Sequence, residues 1–176
     1  VNLFIDDNPT LTIPALRTRA RRLYRQHNIN LIIIDYLQLM SGSNNVKDGR
    51  VKEISEITRG LKAIAKELNI PIIALSQLSR QVEQRDDKRP LLSDLRESGT
   101  IEQDADVVMF VFRESYYLKN KEPRPATVEH AEWQAKMNEV SNLAEIIISK
   151  QRHGPTGNIM LEFESMFTKF KDAINN

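Results

Sequence analysis

Residues 30–40 read NLIIIDYLQLM, a run of four apolar residues, Leu31 to Ile34, that ends on one acid, Asp35. A short β-branched run bounded by polar residues predicts a strand buried on both faces, as in a parallel sheet covered by helices. An acid at the carboxyl end of such a strand stands at the rim where α/β sheets bind ligands. This is the form of a Walker B segment, whose acid supports the magnesium of a bound nucleotide. A buried strand that merely ends in Asp is the plainer reading of these residues alone, so the rest of the chain has to weigh between the two.

On either side, the same alternation of elements continues. Residues 1–6 (VNLFID) read as a first short strand. Asn8-Pro9 turns the chain, Thr12 caps a helix with Pro14 in its first turn, and Leu16, Ala20, Leu23, Tyr24 and His27 share one helical face. Arg17, Arg21 and Arg25 line another face, and a solvated outer helix explains them better than a phosphate site. The stretch Ser41–Arg50 is polar and glycine-rich, hence a loop, before apolar residues at helical spacing over Val51–Leu68. Ile72–Leu75 is another buried strand, followed by Ser76-Gln77 at the same rim. A charged loop, Arg80 to Arg89, leads to SDLRESG (Ser93–Gly99), and Val107–Phe112 is a further strand. Strand, helix and strand in this order predict an α/β fold with a mostly parallel sheet flanked by helices. Residues 113–142 break the rhythm and read as a surface insertion, with a short helix over Glu129–Val140. The end is an antiparallel hairpin: Ala144–Ser149, a turn over Lys150–Gly157, and Asn158–Glu164, in which Ile159, Leu161 and Phe163 alternate with Met160, Glu162 and Glu164. Phe167 and Phe170 point to a last short strand.

Composition narrows the function classes. At 176 residues, 40% hydrophobic and 28% charged, the chain is one globular domain or most of one. No apolar run approaches the length of a bilayer span. The absence of cysteine excludes disulfides and thiolate metal sites, with a reducing compartment as the default. His27, His130 and His153 have no metal-ligand spacing. With 25 basic and 24 acidic residues, net charge does not bear on nucleic acid.

Taken together, ARRLYRQH, LIIIDYLQLM, LKAIAKELNIPIIALSQLSR, EQRDDKRPLLSDLRESGTIEQDADVVMFVFR and AEIIISKQRHGPTG resemble the carboxyl-terminal motor domain of the bacterial replicative DNA helicases of the DnaB type, built on a RecA-like fold. The run SDLRESGTIEQDAD is far more specific than a Walker B segment, and the resemblance covers most of the chain outside residues 114–142. It implies an ATP-dependent DNA helicase, with ATP and Mg2+ as cofactors and single-stranded DNA as substrate. A cytoplasmic ring of identical subunits, a hexamer, is implied too, with primase and a helicase loader as partners. Position by position, Asp35 matches the metal-supporting acid and Gln77 the glutamine that senses the terminal phosphate. Arg96, Glu97 and Gly99 match a loop that holds the DNA backbone, and Arg152, with Lys150 beside it, matches the basic finger inserted into a neighbour's nucleotide site. These roles suit the residue types. Glycine admits a close approach to phosphate, arginine is a planar five-donor fork, and Glu97, which repels phosphate, would brace Arg96 or a neighbouring loop.

None of the six glycines begins a G-x-x-x-x-G-K-[ST], so no phosphate cradle is present in these residues, and no residue takes the role of catalytic base. The expectation is therefore the second part of a motor domain over residues 1–172, with 173–176 as a tail, inactive alone and with an exposed sheet edge. Two other readings compete. One is a non-catalytic RecA-like module for assembly or docking, which the joint presence of Asp35, Gln77 and Arg152 disfavours. The other is a recombinase-type relative, which fits SDLRESG less well.

Overall fold

A computed structural model describes residues 2–8, 10–42, 49–95 and 99–173. The chain is mixed α/β and divides into two compact units, residues 1–79 with 92–105, and residues 80–91 with 106–176.

The first unit begins without the predicted strand. Residues 2–8 have no strand hydrogen bonding, and Leu3 and Ile5 are 78% and 82% exposed. Side-chain contacts hold this segment: the Phe4 ring lies tilted against His27 with ring centroids 4.5 Å apart, and Asp6 pairs with Arg19. An apolar run becomes a strand only where a neighbour accepts its backbone bonds.

Helix α1 (Ile13–His27) starts where expected. The Thr12 hydroxyl accepts from the Ala15 N–H at 3.4 Å, Pro14 lies in the first turn, and Asn28 closes the far end in the left-handed region. Strand β1 (Ile32–Ile34) pairs in parallel with β2 (Ile72–Ala74), in the register Ile32↔Ile72, Ile33↔Ile73 and Ile34↔Ala74. Helix α2 (Arg50–Leu68) makes the crossover and buries Ile54, Ile57, Leu61 and Ile64. At Gly60 a Cβ would lie 2.6 Å from the Ile13 Cγ2, so glycine lets α1 come close. The arginine row of α1 also has a structural use, because Arg17 and Arg21 both pair with Glu67 near the end of α2.

The expectation that β1 is buried on both faces is corrected. Ile34 is buried, whereas Ile33 is 61% exposed, its partner Ile73 is 44% exposed, and Leu31 and Leu75 are open on the same side. Among the described residues, helices cover one face of this two-stranded sheet, and period-two alternation leaves the other apolar face open.

The second unit is an antiparallel sheet in the order β3-β4-β5-β6, made of Val107–Phe112, Leu143–Gln151, Gly157–Glu164 and Lys169–Asp172. Parallel pairing among the described strands is thus confined to β1 and β2. Val108, Phe110 and Phe112 point inward from β3, and Phe163 from β5. The predicted hairpin alternation holds at Phe163 but fades toward the turn, where Ile159 is 49% exposed. The last strand takes in Phe170 and leaves out Phe167. Residues 113–142 contain α4 (Glu114–Lys119) and α5 (Val128–Val140), fastened by the Trp133 indole N–H donating to the Leu118 carbonyl at 2.9 Å. No helix among the described residues is long and apolar enough to cross a membrane.

Candidate functional site

Asp35 and Gln77 follow neighbouring parallel strands at the same end of the sheet. Ile34 pairs with Ala74; Asp35 is the next residue on β1, and Gln77 comes three residues after Ala74. Both side chains are exposed. The backbone beneath them is firmly held. The Leu75 N–H donates to the Ile34 carbonyl at 2.9 Å, and the Leu75 carbonyl accepts from the Leu37 N–H at 2.9 Å. Leu75 therefore grips the chain on both sides of Asp35 and Tyr36, which stand out of the ladder between those two bonds. Their shared peptide is cis.

After this excursion the chain forms a 3-10 turn, Leu37–Leu39, with Leu37 buried. The Gln38 carboxamide then reaches across to the loop after β2. Its Oε1 accepts from the Gln77 N–H at 3.2 Å, and its Nε2 donates to the Gln77 carbonyl at 3.3 Å and the Ser76 Oγ at 3.1 Å. The Gln38 carbonyl accepts from Arg50 Nη2 at 2.7 Å, Arg50 pairs with Glu53, and Glu53 Oε1 accepts the Gly42 N–H at 2.9 Å. The Gly42 N–H, and then Arg50, hold the Glu53 carboxyl below its usual range. One polar chain thus links the rim to the first turn of α2.

Of the predicted DNA-contacting residues, Arg96 and Glu97 lie outside the described residues. Gly99 opens α3 (Gly99–Asp104). That helix is tied to α2 by the Ser55 hydroxyl on Thr100 at 2.9 Å and the Thr58 hydroxyl on Asp104 at 2.6 Å.

In the second unit, Lys150 is on β4 opposite Val108, and Arg152 follows the end of that strand. The register between β3 and β4 shifts there, with Lys150 facing Val108 and Ile148 facing Met109, which leaves Ser149 as the extra residue of a bulge. Arg152 is about half exposed. Its guanidinium lies 3.3 Å from the Asp106 carboxylate, and its N–H donates to the Asp106 carbonyl at 2.9 Å. Deeper in this sheet the buried Glu145 accepts from Arg89 Nε at 3.0 Å and from Asn158 Nδ2 at 2.7 Å.

Sequence reasoning missed Gln38, Arg50, Glu53 and Asp106. Gln38 lies inside the stretch that decides the fold, yet nothing in its local spacing shows which backbone its side chain meets. As for a metal, the described residues contain no group of three or more His, Cys, Asp or Glu side chains suited to hold one. A lone exposed carboxylate such as Asp35 suits magnesium, which keeps several waters and shares its shell with substrate phosphates.

Residues 1–172 match the family described as DnaB-like helicase C terminal domain. The chain is 64% identical over 170 residues to the replicative DNA helicase DnaB of Rickettsia typhi, covering 97% of this chain and 34% of that protein. It is 48% identical to the replicative DNA helicase DnaB of Geobacillus stearothermophilus, covering 96% and 33%. It therefore spans about a third of the length of these curated relatives. Two solved structures superpose with a TM-score of 0.79 at 40% identity. One, described as a DnaB-like replicative helicase and its interactions with primase, covers 96% of this chain and 37% of that one; the other, described as an ATPase domain, covers 95% and 53%. With a family match across nearly its whole length, the chain belongs to the DnaB-like helicase C-terminal domain family.

Proposed function

We propose that residues 1–172 are the second part of a RecA-like motor domain of a replicative ring helicase, with residues 113–142 as a surface insertion. The full-length protein couples ATP hydrolysis to movement along one DNA strand and unwinds the duplex ahead of it. The observation that carries this reading is the placement of Asp35 and Gln77, two exposed polar side chains, on pinned backbone just past the same end of adjacent parallel strands. Asp35 supports the magnesium of ATP, and Gln77 senses the terminal phosphate. A magnesium ion, when bound, supplies charge neutralisation at the phosphate oxygens. Arg152, with Lys150 beside it, reaches into the neighbouring subunit's site, where a planar fork suits a transferring phosphoryl group.

Arg96 and Gly99 hold the DNA backbone, and Glu97 braces that loop, so binding is indifferent to sequence and weakens steeply with salt. The ring is a homo-hexamer acting in the cytoplasm. Primase and a helicase loader are its partners, and the relative described with primase interactions supports the first of these. Alone, these 176 residues do not hydrolyse ATP, because no G-x-x-x-x-G-K-[ST] occurs among them.

The test is ATP hydrolysis and fork unwinding by the full-length protein and its Asp35→Asn variant. Loss of both activities in a variant that still folds supports the reading, and undiminished turnover overturns it. A full-length parent that never hydrolyses ATP yet captures primase would favour a docking module.

A further inference from the structure

We propose that Gln38 is a positioning residue for Gln77, its side-chain amide standing in for the strand that the chain after β2 lacks. The proposal rests on reading Gln77 as the phosphate sensor and assigns the device that aims it.

The regular β1–β2 ladder stops at Leu75. Two residues later the Gln77 backbone needs an acceptor for its N–H and a donor for its carbonyl, and the Gln38 carboxamide supplies the two together. Oε1 takes the Gln77 N–H at 3.2 Å, and Nε2 gives to the Gln77 carbonyl at 3.3 Å. A carboxamide carries one acceptor and one donor edge, so it can satisfy the N–H and the C=O of one residue as a paired residue on a neighbouring strand would. The same Nε2 also reaches Ser76 Oγ at 3.1 Å. With the backbone bonded on both sides, the exposed Gln77 side chain has its root fixed and its tip turned to solvent.

Gln38 is itself held from behind. Buried Leu37 anchors its turn, and Arg50 Nη2 clamps its carbonyl at 2.7 Å, with Glu53 and Gly42 completing the chain. Because Gln38 lies three residues after Asp35, metal-side acid and phosphate-side amide share one frame. Groups acting on one phosphate need that common frame, since a misplacement of about 1 Å can cost on the order of 10²-fold in rate.

The two near-isosteric replacements do not reproduce the fit. Glutamate keeps the acceptor for the Gln77 N–H but offers no donor to its carbonyl. Leucine keeps the volume and has neither.

The experiment compares Gln38→Leu, Gln38→Glu and Gln77→Ala in the full-length protein. It measures kcat and KM for ATP hydrolysis with and without single-stranded DNA, and the affinity for a non-hydrolysable ATP analogue with magnesium. The expected result is a fall in DNA-stimulated kcat of about 10- to 100-fold for Gln38→Leu. KM and analogue affinity stay within about threefold of the parent, and Gln38→Glu falls between the two. If Gln77→Ala loses DNA stimulation while Gln38→Leu and Gln38→Glu keep parental kcat, the positioning role is overturned. A loss seen only in KM overturns it too. If Gln77→Ala itself turns over normally, the sensor reading falls and takes the proposal with it. Should Gln38→Leu not fold, the intermediate kcat of Gln38→Glu decides the question.

Discussion

Arg152 and Asp106 are joined twice, by an ion pair at 3.3 Å and by the Arg152 N–H on the Asp106 carbonyl at 2.9 Å. The side chains are 47% and 50% exposed, so water screens the charge pair. Such pairs are worth about 0–1 kcal/mol. The backbone bond fixes where the tip begins, while the ion pair is weak enough that the proposed finger could exchange a carboxylate for a phosphate at little cost. Arg152→Ala in the full-length protein should therefore cut DNA-stimulated ATP hydrolysis by about 10³-fold or more, with nucleotide affinity and melting temperature nearly unchanged. Steady-state turnover beside equilibrium nucleotide binding checks this; parental turnover would remove Arg152 from the finger role.

Glu145 presents a buried carboxylate to one cation and one amide. Its side chain is 9% exposed, that of Arg89 46%. Removing Arg89 leaves the carboxylate buried with Asn158 alone, whereas removing Glu145 leaves an arginine that can turn to water. Arg89→Ala should cost about 1–3 kcal/mol of stability; Arg89→Lys should recover only part of this, since it keeps the charge but loses the fork and the stacking on Phe112. Urea unfolding of the two variants would measure it, and equal stability of Arg89→Ala and the parent would contradict the assignment.

Protons should act through Glu53. Its carboxyl is held below the usual range by the Gly42 N–H and then by Arg50. A group whose folded pKa is depressed contributes stability that is fully present above its unfolded value, about 4.3 for glutamate, and is lost as pH falls through the folded value. Acidification below about pH 4.3 should therefore loosen the first turn of α2 and its hold on Gln38. Glu53→Gln should flatten that part of the stability–pH curve, which melts from about pH 3 to about pH 7 would reveal.

Gly60 sets two effects against each other. Replacing a helix-interior glycine with alanine ordinarily gains about 0.5–1 kcal/mol. Here the new methyl would meet Ile13 Cγ2 at 2.6 Å and Cγ1 at 2.9 Å, close to a stiff β-branched stem. Overpacking of this kind costs about 1–3 kcal/mol, so Gly60→Ala should destabilise on balance. Adding Ile13→Ala, which removes both of these γ carbons, should make the Gly60→Ala change cost less than it does beside isoleucine, as paired thermal melts would show.

Much of this architecture could be read along the chain. Thr12 and Pro14 announced α1, and the spacing from Ile54 to Leu68 announced α2. The two short apolar runs announced β1 and β2, and the acid and amide after them marked the rim. Periodicity, caps and strand ends are local properties, expressed by residues within one or two turns of each other. The same local rules misjudged residues 2–6 and Ile33, because a strand and its burial both depend on neighbours that the run itself does not contain.

Other features depend on distant segments meeting. Arg17 and Arg21 find Glu67 across 50 and 46 residues, Gln38 finds Gln77 across 39, and Arg152 finds Asp106 where β3 begins. A side chain's type limits what it can bond, but the partner it reaches depends on how the backbone returns. Residue identity along the chain thus marked Asp35, Gln77 and Arg152 as chemically able. The folded backbone alone selected the groups that hold them, because hydrogen bonds act over about 3 Å in space and carry no record of separation along the chain.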